Sequence, residues 1–435
     1  MTKRTRTILF LICSLIFILL APSAVLYSQG YRIDLNPPAG GIKLTQTGGL
    51  FIKATPKQAD IYVNGKLKKK TDFFFGSALV ENLLPKSYKI EIRKEGYHSW
   101  EKILGIEEKQ VQEVREAVLF PQDINLNVLS DQIERFWFSP DQRKIITLEE
   151  EKQGWALKLY DLNKNIKSHL LAETDIFAEG SELINLTFSE DSKKITLETA
   201  IRERARYFIL ELDRIAPVPT EITIPEPLGD ENEFSSSPFA VARVNNDLYS
   251  LDETGHLFKN ETKLTSNPFL VKQETEYALN IFRNYIFLRE ANTLYKFNHE
   301  SKSFDIFFEK IKSLKISPDN KKIAYFSKHE IWILFLDDKN NPPQKKSGDK
   351  ILLTRLSETI TDAFWLNDNY LIFSTEDIIK ISETDDRDKL NIINILETKK
   401  LPQNGSLSEI FWNQSDKKLY LLKEKTLYSS DVLLP

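Results

Sequence analysis

The pattern of apolar residues changes sharply about 30 residues into the chain. Residues 8–28 are almost continuously apolar, and three basic residues, Lys3, Arg4 and Arg6, precede them. About 20 residues at 1.5 Å each span the ~30 Å hydrocarbon core of a bilayer. A cleaved signal peptide has a shorter apolar stretch and a clear small-residue cleavage site. The pattern therefore predicts a transmembrane signal anchor at 8–28 after a cytoplasmic stub at 1–7.

The basic flank also predicts the orientation of this anchor. Lys and Arg are retained on the cytoplasmic side, so everything after about Gly30 is expected outside the cytoplasm. We expect a single-pass protein of the cytoplasmic membrane, with its N-terminus inside and its folded domains outside. A cleaved signal peptide and a buried core helix are the two alternatives for this segment.

Beyond Gly30 the pattern changes to short alternating runs broken by Gly and Pro, which is typical of strands and tight turns. The clearest hairpin is in ADIYVNGKLKKK, where Ile61 and Val63 flank Tyr62. The following pair, Asn64-Gly65, is the preferred type I′ turn. These features predict a small β-sandwich at residues 31–121.

The same segment resembles the PEGA domain, a small β-sandwich of bacterial and archaeal surface proteins. The positions that match the family pattern are Thr55-Pro56, Ala59, Asn64-Gly65, Leu83 to Pro85, Tyr88 and Gly96-Tyr97. Lys86 stands where the family has glycine, and KKKTDFFFG lacks the Gly-x-Thr-Pro of the middle turn. The resemblance implies a small β-sandwich in a cell-surface protein.

From about residue 124 the chain is repetitive. Each copy has an apolar strand, a Ser/Asn-x-x-Asp-type turn, basic residues and further short strands; the copies begin at Phe136, Leu186, Leu314, Ala363 and Ile410. Two weaker units fall between the second and third copies. A period of about 50 residues with four short strands is typical of a propeller blade. We therefore predict a seven-bladed β-propeller at 123–435, closed by a strand at 123–130.

The repeats resemble the β-propellers of the TolB and prolyl-oligopeptidase type, whose blades share a Phe-Ser-Pro-Asp-Gly turn. The matching residues are Ser139-Pro140-Asp141 and Ser317-Pro318-Asp319, followed by Gln142 and Asn320 where the family has glycine. The resemblance implies a fold rather than an activity. The related peptidases carry their nucleophile in a separate domain with a G-x-S-x-G elbow, a string that this sequence lacks.

Composition excludes several classes of function. The formal net charge is −4, which argues against a nucleic-acid partner. The one cysteine, Cys13, lies in the apolar segment, so no disulfide or thiolate metal site is expected outside it. The five histidines are scattered singly, at His98, His169, His256, His299 and His329. No phosphate-binding glycine loop is present.

Recurring residues are better explained by structure than by chemistry. One aspartate recurs in the turn of several repeats, namely Asp141, Asp191, Asp319 and Asp416. A turn needs one copy per repeat, whereas a catalytic site does not. Three tryptophans on the first strands, Trp137, Trp365 and Trp412, are expected to pack between repeats. We therefore predict no catalytic, cofactor-binding or metal-ligating residue, and no cofactor.

Two features of the predicted sandwich leave alternatives open. The lysines after the hairpin turn, Lys66, Lys68, Lys69 and Lys70, either form a solvated edge that resists strand addition or meet anionic polymers or lipid headgroups. The adjacent Phe73, Phe74 and Phe75 are expected either in the sandwich core or in contact with the propeller.

These patterns favour a non-enzymatic cell-surface protein that binds or scaffolds. The sandwich would be an envelope spacer, and the propeller would recognise a protein or an envelope polymer. The alternative is an extracytoplasmic hydrolase or lyase acting on polymers, which needs two carboxylates converging on one propeller face. A transmembrane sensor is a third hypothesis, and the short stub at 1–7 argues against it.

Overall fold

The computed structural model describes residues 3–35, 40–152, 154–176, 180–201, 204–214, 217–222, 239–398 and 407–434. The protein is mainly β, as the alternating sequence pattern predicts. Helices are confined, in these ranges, to α1 (Lys3–Ser28) and the single turn α2 (Glu173–Ile176). Helix α1 is long and apolar enough to cross a membrane, with a mean hydropathy of 2.8. Its apolar residues are not buried against the rest of the described chain.

A two-stranded hairpin connects α1 to the first β region; its strands are β1 (Tyr31–Asp34) and β2 (Lys43–Gln46). Several contacts hold the C-terminal end of α1 against the residues of this hairpin. The Thr47 amide donates to the Gly30 carbonyl at 2.9 Å. The Arg32 guanidinium lies 3.5 Å from the centre of the Tyr27 ring.

The next region, here called the N-terminal β unit, contains two sheets that share one hydrophobic core. The three-stranded sheet has the order β6 (Ser77–Leu83), β3 (Gly48–Thr55), β9 (Val111–Val118). The four-stranded sheet has the order β5 (Lys66–Lys70), β4 (Asp60–Val63), β7 (Ser87–Arg93), β8 (Trp100–Gly105). The predicted turn between β4 and β5 is confirmed, because Asn64 and Gly65 have φ of 49° and 75°.

The described part of the region after β9 folds into seven four-stranded antiparallel sheets, numbered here in chain order. Sheet 1 consists of β11 (Ile133–Phe138), β12 (Lys144–Glu151), β13 (Gly154–Asp161) and β14 (Ile166–Ala172). Sheet 2 consists of β15 (Glu182–Phe188), β16 (Lys194–Ile201), β17 (Arg204–Glu211) and β18 (Thr220–Ile222). Sheet 3 consists of β19 (Ala240–Val244), β20 (Asp247–Leu251), β21 (Leu257–Lys259) and β22 (Thr262–Lys263). Sheet 4 consists of β23 (Tyr277–Phe282), β24 (Tyr285–Glu290), β25 (Thr293–Asn298) and β26 (Ser303–Phe308).

The remaining three sheets have the same meander order. Sheet 5 consists of β27 (Ser313–Ile316), β28 (Lys322–Phe326), β29 (Glu330–Phe335) and β30 (Lys350–Arg355). Sheet 6 consists of β31 (Ile360–Asn367), β32 (Tyr370–Thr375), β33 (Ile378–Glu383) and β34 (Ile392–Glu397). Sheet 7 consists of β35 (Leu407–Asn413), β36 (Lys418–Lys423), β37 (Thr426–Ser430) and, from the start of the region, β10 (Leu126–Ser130).

Strand β10 therefore pairs with the end of the chain. It runs antiparallel to β37, with Leu126 opposite Ser430 and Val128 opposite Tyr428. Hydrophobic clusters lie between neighbouring sheets, and one of them joins the first sheet to the last, combining Ile133 with Leu427. Such clusters join sheet 1 to sheet 2, sheets 3 to 7 in succession, and sheet 7 to sheet 1. In these pairs one sheet covers an apolar face of the next, which a four-stranded meander cannot bury alone.

Candidate binding surface on the first strands

The recurring aspartates set the end of the first strand in their sheets. In sheet 5, the Ser317 hydroxyl donates to Asp319 at 2.6 Å, and the Lys321 amide donates to the same carboxylate at 3.0 Å. The residue between them, Asn320, has φ of 56°. The equivalent carboxylates accept backbone amide hydrogens in the same way; they are Asp141, Asp191 and Asp416. The predicted turn role of these aspartates is confirmed.

Aromatic side chains from three neighbouring first strands form a continuous run. Phe138 of β11 stacks on Phe411 of β35, with ring centroids 3.9 Å apart and planes at 12°. Phe411 in turn contacts Phe364 of β31 edge to face at 5.9 Å. All three rings are half-buried, so the run is accessible from solvent.

Charged side chains continue this run onto the neighbouring strands. The Lys315 ammonium of β27 lies 4.8 Å from the centre of the Phe364 ring, a cation–π geometry. Lys312 donates to the Ile360 and Thr361 carbonyls of the next sheet. Asp362 and Glu409 lie on the adjacent strands β31 and β35, which contact each other directly.

The two carboxylates are electrostatically unusual. Desolvation by the surrounding strands raises the pKa of Asp362, although the Lys315 and Lys312 charges oppose that shift. Desolvation also raises the pKa of Glu409, and the nearby charge of Asp362 raises it further. A carboxylate pair of this kind can accept hydrogen bonds from a cationic or hydroxyl-rich ligand, and its protonated form can donate one. We call the seven side chains the inner-strand cluster: Phe138, Lys312, Lys315, Asp362, Phe364, Glu409 and Phe411.

The predicted packing of the three tryptophans between repeats is confirmed, because each belongs to or packs against a hydrophobic cluster between two sheets. Trp365 and Trp412 are 4% and 3% exposed. The Trp365 indole donates to the Lys315 carbonyl at 2.9 Å, which joins sheets 5 and 6. Trp137 is only half-buried, and the Arg135 guanidinium lies 5.3 Å from its ring centre. Trp137 nevertheless packs against the hydrophobic cluster between sheets 1 and 2.

A second group of polar residues joins the N-terminal β unit to sheet 6. The Lys102 ammonium lies 2.7 Å from Glu383, and their side chains are 0% and 4% exposed. The Trp100 indole donates to the other Glu383 oxygen at 2.8 Å. The Tyr370 hydroxyl contacts both the amide of Val118 and the carbonyl of Glu116. Burial raises the pKa of Glu383 even though Lys102 lowers it.

The expected location of the three consecutive phenylalanines is wrong. Phe73, Phe74 and Phe75 lie neither in a core nor against the seven sheets, since their exposed fractions are 66%, 75% and 74%. They form the turn between β5 and β6, at the edge of the unit away from β8 and β9. Sequence periodicity missed this because a run of three apolar residues has no alternation with polar residues that would assign any of them to a buried or an exposed face.

The inner-strand cluster was not identified from the sequence either. Its members lie on strands separated by as many as 273 residues in the chain, from Phe138 to Phe411, and only the arrangement of the sheets brings them together. The one available signal was a phenylalanine one to three places before the recurring turn, at Phe138, Phe364 and Phe411. Among the described residues, no group of three or more His, Cys, Asp and Glu side chains could hold a metal ion.

Comparisons with known proteins give only a coarse likeness. No protein-family model matches the sequence, and no curated protein does. One similar solved structure is the β-propeller domain of Cps50 (Swd1) from Myceliophteria thermophila, with 12% identity, coverage of 71% of this chain and 100% of that chain, and a TM-score of 0.41. Another is the C-terminal WD40 domain of Sif2, with 11% identity, coverage of 71% and 98%, and a TM-score of 0.40. A third is YCF48 from Cyanidioschyzon merolae, with 9% identity, coverage of 71% of this chain and 98% of that chain, and a TM-score of 0.40.

Proposed function

We propose that this protein is a membrane-anchored, non-enzymatic binding protein that recognises its ligand through the inner-strand cluster. The observation that carries the proposal is the run from Phe138 through Phe411 and Phe364 to Lys315, with Asp362 and Glu409 beside it. Half-buried aromatic rings flanked by both signs of charge suit a ligand that offers apolar faces and polar groups together. A protein segment or an envelope polymer has that chemistry.

The proposed architecture is a seven-bladed β-propeller. Two observations support it. The hydrophobic cluster between sheets 1 and 7 places the first and last sheets next to each other. The pairing of β10 with β37 completes the last sheet and covers an edge that would otherwise be free for aggregation. In such a ring the first strands face the central channel, where the inner-strand cluster would be reached by a ligand.

The N-terminal region would hold this propeller at a membrane. We propose that α1 spans the bilayer as a signal anchor and that the N-terminal β unit is a PEGA-like sandwich acting as an extracytoplasmic spacer. Support comes from the apolar length of α1 and from the basic residues before it. The buried Lys102–Glu383 contact supports a stiff spacer, because it joins the unit directly to sheet 6.

A hydrolase or lyase acting on polymers is the second candidate function. The neighbouring carboxylates Asp362 and Glu409, with their raised pKa values, favour it, because acid–base pairs in glycoside hydrolysis need such residues. The ammonium groups of Lys312 and Lys315 weaken it, since they lower the pKa of Asp362 and so oppose the protonation that a general acid needs.

Binding and catalysis can be separated with two variants of the full-length protein. Arrayed peptides and purified envelope polysaccharides would be used as probes, with both capture and product release measured. We expect Phe364→Ser/Phe411→Ser to abolish capture, because it removes the aromatic run. Asp362→Asn/Glu409→Gln should weaken capture of cationic or hydroxyl-rich probes, and the wild type should release no product.

The matched control is Glu253→Gln/Glu261→Gln, which neutralises two exposed carboxylates of sheet 3 far along the chain from the cluster. It should capture probes like the wild type. Product release by the wild type that Asp362→Asn/Glu409→Gln eliminates would replace the binding proposal with the hydrolase or lyase. Unchanged capture by Phe364→Ser/Phe411→Ser would remove the cluster from recognition altogether.

A further inference from the structure

The exposed phenylalanines belong to a well-built turn. The Asp72 carboxylate accepts hydrogen bonds from the Phe75 amide at 2.5 Å and from the Ser77 amide at 2.9 Å. The Phe75 amide, the Ser77 hydroxyl and other backbone amides hold the pKa of Asp72 well below its usual range. The Lys57 ammonium donates to the Phe74 carbonyl at 2.8 Å. The three rings are therefore presented to solvent by an ordered turn rather than by a loose loop.

Exposed lysines surround this turn and extend along β5. They are Lys57, Lys66, Lys68, Lys69 and Lys70. Within the described part of the chain, only Lys70 of this set forms a salt bridge, to Asp60 at 3.4 Å. We define these lysines together with Phe73–Phe75 as the Phe–Lys edge. A contiguous exposed apolar patch normally marks an interaction surface, and here that patch carries a basic border.

The strand order places the Phe–Lys edge on the free side of the N-terminal β unit. Strands β5 and β6 are the edge strands, whereas β8 and β9 at the opposite edges contact sheet 6. Arg32 of β1 connects the far end of β6 to the end of α1, since its guanidinium donates to the Asn82 side chain at 2.7 Å and to the Tyr27 carbonyl at 2.9 Å. From there β6 leads back to the phenylalanine turn over seven residues, about 24 Å at 3.4 Å per residue.

We propose that the Phe–Lys edge is a second membrane contact, which inserts its three phenylalanines into the interface of the bilayer while its lysines meet anionic lipid headgroups. Aromatic side chains favour the boundary between headgroups and acyl chains. Each lysine near an anionic surface adds electrostatic attraction. A bilayer that holds α1 would lie at one end of β6, about one strand length from the phenylalanine turn.

This inference rests on the membrane attachment proposed for α1, and it adds an orientation. With two contacts, the N-terminal β unit lies along the membrane instead of standing on a single helix. The docked edge at Trp100 and Lys102 then faces away from the phenylalanine turn and directs the seven sheets toward solvent.

The test uses full-length protein in single-copy nanodiscs of phosphatidylcholine and phosphatidylglycerol, with an environment-sensitive dye on a single cysteine. The dye is placed at position 74 in Cys13→Ser/Phe74→Cys, at position 270 in Cys13→Ser/Leu270→Cys, and on native Cys13. Leu270 is a matched control, because it is 81% exposed and lies in the sheet region. We expect blue-shifted emission and quenching by brominated lipids at positions 74 and 13, and neither at position 270.

Two changes should abolish the signal at position 74 while leaving that of Cys13 intact. One is replacement of the anionic lipid by phosphatidylcholine alone, and the other is Lys66→Gln/Lys68→Gln/Lys69→Gln/Lys70→Gln. Quenching at position 74 that both changes leave intact would remove the lysines from the proposal.

The remaining outcomes separate this inference from the anchor itself. Quenching of Cys13 without quenching at position 74 overturns the second contact and leaves the anchor in place. Quenching at position 74 without quenching of Cys13 overturns the anchor and supports the edge. A blue shift at position 74 without lipid quenching shows a protein contact, such as a second copy of this chain, and overturns the inference.

Discussion

Sheet 6 and its neighbour contain two kinds of desolvated carboxylate, and the difference between them lies in their partners. Glu383 accepts hydrogen bonds from Trp100 at 2.8 Å, from the Asn391 amide at 2.9 Å and from the Asn391 side chain at 2.7 Å, and it pairs with Lys102. From the part of the chain that the structure describes, Asp362 accepts one hydrogen bond, from the Ala363 amide at 2.7 Å. Glu409 accepts none from the described residues.

The comparison shows how a docking contact differs from the proposed ligand site. Burial raises the pKa of all three carboxyls, so the pKa alone does not distinguish them. A carboxylate whose acceptor sites are occupied by the protein is a structural joint, and breaking it is costly. A carboxylate with few partners, facing solvent beside aromatic rings, has capacity left for a ligand. Glu383 belongs to the first kind, and Asp362 and Glu409 to the second.

The largest expected effect tests the joint. Lys102→Met leaves Glu383 buried without its cation, so the free energy of unfolding should fall by about 3–5 kcal/mol. Urea denaturation of the detergent-solubilised protein measures it. The control is Lys389→Met, which removes a cation paired with Glu101 at a much more exposed position and should cost at most about 1 kcal/mol. Equal losses in the two variants would contradict the structural role of Glu383.

A smaller effect tests the hydrogen bonds around the same carboxylate. Trp100→Phe removes one donor to Glu383 and should lower the free energy of unfolding by about 1–3 kcal/mol, since the oxygen becomes unsatisfied while buried. The control is Trp332→Phe, because Trp332 donates to the less buried Glu330 at 2.9 Å. Equal losses in the free energy of unfolding for Trp332→Phe and Trp100→Phe would show that the stabilisation by the Trp100–Glu383 hydrogen bond does not depend on the burial of Glu383.

The smallest effect concerns the inner-strand carboxylates. Their folded-state pKa values are raised, so the fold favours their protonated forms, and that stabilisation is lost as the pH rises through the raised values. The free energy of unfolding of Asp362→Asn/Glu409→Gln should equal that of the wild type at about pH 3 and exceed it by about 0.5 kcal/mol at neutral pH. The gain is small because solvent screens Glu409.

Thermal unfolding from acid to neutral pH would measure this dependence. Glu253→Gln/Glu261→Gln serves again as the control and should show no comparable dependence. If Asp362→Asn/Glu409→Gln is less stable than the wild type at neutral pH, these carboxylates stabilise the fold and are not available to bind a ligand.

Local signals in this protein were predictable because they depend on few neighbours. The apolar run that became α1, the Asn64-Gly65 turn and the aspartates that close the recurring turns all arise from short-range rules. Backbone geometry at these points needs only the residues within a few positions. The regular spacing of the copies likewise predicted repeated strands.

Which side chains meet was decided by the tertiary structure. Nothing near Lys102 in the sequence indicates a partner 281 positions away at Glu383, because the pairing depends on how the N-terminal β unit docks on sheet 6. The same holds for Phe138 and Phe411, which meet only because the first and last sheets are neighbours. The sequence by itself determined the helix, the strands and the turns through local geometry. The tertiary structure decided the sites, because long-range packing chooses which apolar and charged groups lose their water and which, like Phe73–Phe75, keep it.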